Sequence, residues 1–203
     1  MNARAQARSS PLAADAENLY VDIPFRMTTE VFFQATQYSE RQFQLLNGRP
    51  TVNPAPTTKH QRILLRLTRL LVDFVESGEL GEVWLAPCDV VLSTYDVVQP
   101  DLFFVSAQRA HIVTEKNVQG APDLIFEILS ASTADWDRGY KQHLYATHGV
   151  REYWLVDPDA ELVEVRVLGD AGYETYGVYR ADDTVTSRLL EDLSIPVSDV
   201  SRA

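Results

Sequence analysis

Three charged side chains stand where structure alone would not put them: Asp101 in QPDLFFV, Glu127 in APDLIFEILS, and Lys141 on the segment that follows. Two acids and a lysine are the parts of a metal-dependent hydrolytic site. Glu127 lies between Leu124-Ile125-Phe126 and Ile128-Leu129, so the run reads as a strand buried on both faces. A glutamate is almost never buried without a partner, because an uncompensated charge costs a large part of a domain's stability. The sequence therefore asks for a cation beside it. Asp101 follows Pro100 and opens a second apolar run, Leu102 to Val105. If the two runs pair, both carboxylates converge on one point.

Two hard oxygen donors with positions left for water suit Mg²⁺ or Mn²⁺, which bind through a few carboxylates plus substrate phosphate. The implied chemistry is phosphodiester hydrolysis: the metal polarises a phosphoryl oxygen and acidifies water, while an ammonium orients that water or balances charge. Plainer readings exist for each group alone. Asp101 and Asp123 both follow a proline, a common turn and strand-entry pair, and Lys141 sits four residues after Asp137 as in an ordinary helical ion pair on the surface. Glu127 resists such a reading, since its apolar neighbours demand either a function or a tight partner.

The 203 residues, 45% hydrophobic and 23% charged, suffice for one well-packed domain. A net charge of −11 argues against a protein that holds nucleic acid by bulk electrostatics, although a local cationic strip or a metal can still bind phosphate. The single cysteine, Cys88, forms no internal disulfide and fits a reducing cytoplasm. His60, His111, His143 and His148 show no zinc spacing, no apolar run approaches a membrane span, and the N-terminus lacks the apolar core of a signal peptide. No organic cofactor is implied.

Residues 1 to 24 read as a flexible arm and 25 to 203 as a single domain. Thr28 or Thr29 caps a short helix through Tyr38, and a helix-like patch at 39 to 46 leads into the Asn47-Gly48 turn. From Thr57 the residues Ile63, Leu64, Leu67, Leu70, Leu71 and Phe74 form one face of a long helix ending near Gly78. Lys59 and His60 at its start, with Arg62, Arg66 and Arg69 on its opposite face, make the most basic part of an acidic chain and a candidate nucleic-acid contact; a solvated outer face is the default alternative. Strand-like runs follow at 82 to 86, 89 to 92, 97 to 105 and 123 to 129. Ser132 and Asp135 then resemble a capping box, opening a helix with Trp136, Tyr140 and Leu144 inward and Lys141 one step round. Runs near 152 to 157, 161 to 168, 172 to 179 and 184 to 190, joined by short turns, predict an antiparallel C-terminal meander.

APDLIFEILSASTADWDRGYKQHLYATHGVREYWLVDP, with the upstream LAPCDVVLS and VVQPDLFFVS, closely resembles the Uma-two family of endonucleases in the restriction-endonuclease-like PD-(D/E)XK superfamily. The likeness runs from about Met27 to Leu168 and implies an α/β (α+β) fold, a mixed central sheet flanked by helices with the site on adjacent strands. Asp101 matches the family's PD aspartate and Glu127 the acid of its (D/E)XK element. Leu129 occupies the usual lysine position, and Lys141 matches the family's lysine on the next helix. The superfamily's backbone metal ligand corresponds to the carbonyl of Ile128. Where the family resembles YELIDGEL, this chain reads FQLLNGRP, with Gln44 and Arg49 in place of acids. Gln44 keeps a carbonyl oxygen but brings no charge.

Two readings follow. One is a cytoplasmic, homodimeric Mg²⁺-dependent endonuclease acting on nucleic acid, DNA in the first instance, with Asp101, Glu127 and Ile128 on the metal, Lys141 on the water and Gln44 auxiliary. The other is a catalytically degenerate module of the same fold that binds nucleic acid or protein.

Overall fold

The computed structural model describes residues 25–201; the arm expected at 1 to 24 lies outside them. In chain order the elements are α1 (Thr29–Thr36), β1 (Phe43–Leu46), β2 (Arg49–Val52), α2 (Thr58–Ser77), β3 (Gly81–Leu85), β4 (Val90–Ser93), β5 (Asp96–Val98) and β6 (Leu102–Ser106). A 3-10 turn (Ala107–Ile112) then leads to β7 (Val118–Gln119) and β8 (Leu124–Ile128). There follow α3 (Ala134–Trp136), a π-helical turn (Asp137–Lys141), α4 (Gln142–Thr147), β9 (Glu152–Asp157), β10 (Leu162–Gly169), β11 (Gly172–Arg180), β12 (Thr184–Thr186), β13 (Ser194–Pro196) and α5 (Val197–Ser201). These residues form two compact units, 25–54 with Val91–Val98, and Ala55–Val90 with 99–201.

In the smaller unit the Thr28 hydroxyl caps α1 by accepting from the Val31 amide at 3.4 Å. The patch at 39 to 46 is not helical. Phe43–Leu46 is a strand, buried throughout, and pairs antiparallel with β2. Asn47 and Gly48 take φ values of 51° and 75°, the left-handed pair that closes a two-residue hairpin. That turn decides the matter, because a tight hairpin needs extended chain on both sides. Strands run in the order β2-β1-β5-β4, and Phe43, Leu45 and Val97 meet Met27 and Phe32 in a small core.

The larger unit is a six-stranded sheet ordered β11-β10-β9-β8-β6-β3, in which β8 and β9 are parallel and the other neighbours antiparallel. Alternation along the central strands sorts their side chains. Leu102, Phe104, Leu124, Phe126, Ile128, Trp154 and Val156 join Ile63, Leu64, Leu67, Leu71 and Val75 of α2 in the main core. Odd-numbered Glu127 therefore leaves β8 on the other face. The run expected at 97 to 105 is two strands, since Pro100 has no N–H to give a ladder. The meander holds for β9, β10 and β11, whereas β12 pairs with β13 in a separate ribbon.

Two acids close the amino ends of β8 and β9. Asp123, fully buried, accepts from the Ser106 amide at 2.9 Å and the Arg109 guanidinium at 3.1 Å. Glu152, 1% exposed, accepts from Trp154 Nε1 (2.6 Å), Ser187 Oγ (2.7 Å) and the amides of Arg188 (2.9 Å) and Leu189 (2.8 Å).

Candidate active site

The β6–β8 register sets Leu102 opposite Phe126, which carries the next residues outward, Asp101 and Glu127, to the same end of the sheet. Asp101 Oδ2 accepts from the Ile128 amide at 2.7 Å and lies 3.1 Å from His60 Nε2. Glu127 Oε1 accepts from Lys141 Nζ at 3.0 Å and from the Tyr145 hydroxyl at 2.7 Å. Lys141 Nζ is also 2.9 Å from Asp137 Oδ1, an ion pair not aligned as a hydrogen bond. Asp101, Glu127, Lys141 and Asp137 thus form one cluster, and all but Asp101 are buried.

Lys141 reaches inward because its helix is not regular. The expected Ser132 cap does not form: Thr133 takes the cap position without a side-chain bond to the helix, and Ser130 shares hydroxyl contacts with Ser132 and Thr133. After one turn the backbone widens into the π-helical stretch Asp137–Lys141. In that wider turn residues four apart stay nearly in line, so Asp137 and Lys141 both enter the interior, while Trp136 and Tyr140 stack edge-on and half-buried. The Tyr153 hydroxyl braces the turn by donating to the Asp137 carbonyl at 3.0 Å. The inward face is thus Asp137, Lys141, Leu144 and Tyr145 instead of Trp136, Tyr140 and Leu144.

Burial raises the Glu127 carboxyl to about 8; the Lys141 charge opposes this, and Asp137 and Asp101 reinforce it. For Lys141, burial alone would lower the value, but Asp137 and Glu127 outweigh it and hold the ammonium above its ordinary range. Burial, followed by the Glu127 charge, pushes the Tyr145 phenol up as well. Lys141 is therefore a standing cation and Tyr145 a standing donor. Glu127 is the group of the three that changes charge near neutral pH.

Both acids hold one oxygen back. The hydrogen bonds of Asp101 fall on Oδ2 and those of Glu127 on Oε1, so Asp101 Oδ1 and Glu127 Oε2 have no protein hydrogen bond among the described residues. Nor do three or more His, Cys, Asp or Glu side chains gather there into a metal cage. Two carboxylate oxygens without a cage fit a hard divalent cation that keeps positions for water and phosphate, and do not fit structural zinc.

The other expected residues lie as follows. Gln44 is buried on β1 in the smaller unit, where its amide donates to Asn53 Oδ1. Lys59 pairs with Asp159 at 2.8 Å, Arg69 lies 3.9 Å from Asp73, and Arg62 is exposed. His60 joins two roles, since its amide is capped by Thr57 Oγ1 at 3.2 Å while its ring faces Asp101. Asp137 and Tyr145 are cluster members that the sequence did not single out. The signal was the i, i+4 spacing of Asp137 and Lys141, which reads as a surface pair unless the helix is known to pack inward.

The family model described as "Uma2: Putative restriction endonuclease" matches residues 29–198. The chain belongs to the Uma2 family. A solved structure with a similar fold is that of a "putative nuclease belonging to DUF820" from Anabaena variabilis, at 20% sequence identity and a TM-score of 0.72 over 86% of this chain and 97% of that one. No match was found among curated proteins. The match to the Uma2 family spans Asp101, Glu127 and Lys141 together. Among the described residues no helix is long and apolar enough to cross a membrane.

Proposed function

We propose that this Uma2 protein is a metal-dependent endonuclease that hydrolyses phosphodiester bonds of DNA, working as a cytoplasmic homodimer. The observation that carries the reading is the cross-strand pair Asp101 and Glu127, each with one uncommitted oxygen, beside the buried ammonium of Lys141. Asp101 Oδ1, Glu127 Oε2 and the carbonyl of Ile128 would hold Mg²⁺ or Mn²⁺. When bound, such an ion supplies Lewis-acid polarisation of a phosphoryl oxygen and lowers the pKa of water.

The chain's own residues do the rest. The Ile128 amide and His60 fix the Asp101 carboxylate, leaving Oδ1 in a set direction. Tyr145 and Lys141 fix Glu127 in the same way. Lys141, held in its charged form, cannot accept a proton near neutral pH; it orients a nucleophile's lone pairs and offsets negative charge that develops at the phosphoryl group.

The test is calorimetric titration with Mg²⁺ and Mn²⁺ of the wild type and Glu127→Gln, with DNA and RNA cleavage on the same samples. Binding and cleavage by the wild type, both lost in the variant, are the expected result. A wild type that binds neither ion, with or without DNA, overturns the reading. The cluster would then be a closed ion network, with Lys141 the sole cation for Glu127, and the protein the non-catalytic module that Gln44 and Arg49 allow.

A further inference from the structure

The charges of α2 are placed against the helix's own preference. Between Thr58 and Val72 stand Lys59, Arg62, Arg66 and Arg69 without a single acid, in a chain of 29 acids and 18 lysines and arginines. The first turn of a helix favours anions, yet that of α2 has none and carries Lys59, with Arg62 just beyond. Something other than helix stability accounts for this placement. At 100° per residue the four side chains fall within one arc of about 80° on the face away from Ile63, Leu67 and Leu71. With a rise of about 1.5 Å per residue the line is about 15 Å long, enough to meet a few successive phosphates of one DNA strand.

The line has a direction. At its start His60 touches Asp101, and at its far end Asp73 and Glu76 return the face to acidic character. Two ion pairs along it, those of Lys59 and Arg69, do not block it. Lys59 meets Asp159, whose side chain is 90% exposed, and Arg69 meets Asp73 at 3.9 Å, also in the open. Exposed pairs of this kind are weak and yield readily to a phosphate.

We infer that Lys59, Arg62, Arg66 and Arg69 form a phosphate track along α2 that lays one strand of nucleic acid toward Asp101. The inference rests on the nuclease reading for what happens at the end of the track, while the binding itself needs no metal. Its acidic surroundings make the track a local guide in place of a broad basic surface, which reconciles nucleic-acid binding with a net charge of −11.

The test is binding of a mixed-sequence 24-base-pair duplex by fluorescence anisotropy, in EDTA, across a range of salt. Three proteins are compared: wild type, R62Q/R66Q/R69Q, and a control, R180Q/R188Q, that removes exposed charge elsewhere. The track variant should weaken binding on the order of tenfold or more and flatten the slope of log K against log salt by roughly two to three, while the control stays close to wild type. Urea unfolding and metal calorimetry unchanged in the track variant show that the loss is one of contact. No wild-type binding, or equal losses in track and control variants, overturns the track. Track-dependent binding by a wild type that takes up no metal leaves the track standing and removes the nuclease reading.

Discussion

The parallel pair β8 and β9 has buried acids at both ends, and the ends differ in how those acids are satisfied. At the amino end Glu152 accepts four hydrogen bonds, and Asp123 is held by the Ser106 amide and Arg109. At the carboxyl end Glu127 and Asp101 each spend one oxygen and keep the other. Glu127 is as buried as Asp123 and Glu152, so burial does not mark the site; incomplete saturation does. The donors differ as well. Glu152 is held by neutral groups whose bonds tie the segment after β12 to β9, whereas Glu127 leans on a cation that is shared with a second acid. The first arrangement suits a permanent fastening. The second suits a group whose charge must be available to something that arrives.

The comparison breaks most visibly at Lys141. Lys141→Met leaves Glu127 and Asp137 buried without their cation, and the expected loss is about 3–5 kcal/mol in urea unfolding. Adding Mg²⁺ should recover part of it. A loss below about 1 kcal/mol would mean that the cluster is not an ionic unit.

Glu152→Ala comes next, because it strands an indole N–H, a hydroxyl and two amides and opens a cavity, with an expected cost of about 3 kcal/mol. Metal affinity of the folded fraction should stay at the wild-type value. A fall in metal affinity would show that the two ends are not independent.

The ends should also respond to pH with opposite signs. Burial raises Asp123, but the Ser106 amide and Arg109 outweigh it and hold the carboxyl below the ordinary aspartate value of about 3.9. Its stabilisation is present above that value and is lost as pH falls below it, and Asp123→Asn should flatten this acid limb. Glu127 is raised from 4.5 to about 8, so the native state keeps a proton that the unfolded chain has released. Its contribution therefore falls as pH rises from about 4.5 to 8, and Glu127→Gln should flatten that limb instead. Glu127→Gln should match wild type within about 1 kcal/mol below about pH 4, because an amide copies the protonated acid, and should become the more stable of the two as pH rises toward 8, by roughly 3 kcal/mol near pH 7.

Metal affinity supplies the smallest and most pointed reading. If an incoming cation must displace the Glu127 proton, affinity should rise up to about tenfold per pH unit below 8 and level off above it. A flat profile between pH 6 and 8 would place the cation elsewhere.

Much of this was legible in one dimension. The apolar face of α2, its start at Thr57 and the NG turn are local patterns, and each formed where spacing and propensity put it. Asp101, Glu127 and Lys141 were visible as charges out of context, two of them at strand ends. The patch at 39 to 46 was misread because a hairpin partner, Arg49–Val52, overrides local helical preference. The strand expected over 184 to 190 was cut short because Ser187 and the amides after it bind Glu152 rather than a neighbouring strand.

By itself the sequence determined which residue types are available and which periods they follow: an acid inside an apolar strand, a second acid after a proline, a lysine on the helix between. Tertiary structure alone decided what those residues are to one another. The β6–β8 register carried Asp101 and Glu127 to a common end of the sheet, and the π turn moved Asp137 and Lys141 from a surface pair into the interior. The same fold saturated Glu152 and left Glu127 half satisfied. The physical reason is range: helix periods, caps and tight turns are set within a few residues, whereas hydrogen-bond saturation of a buried charge depends on partners that only the packed sheet brings near.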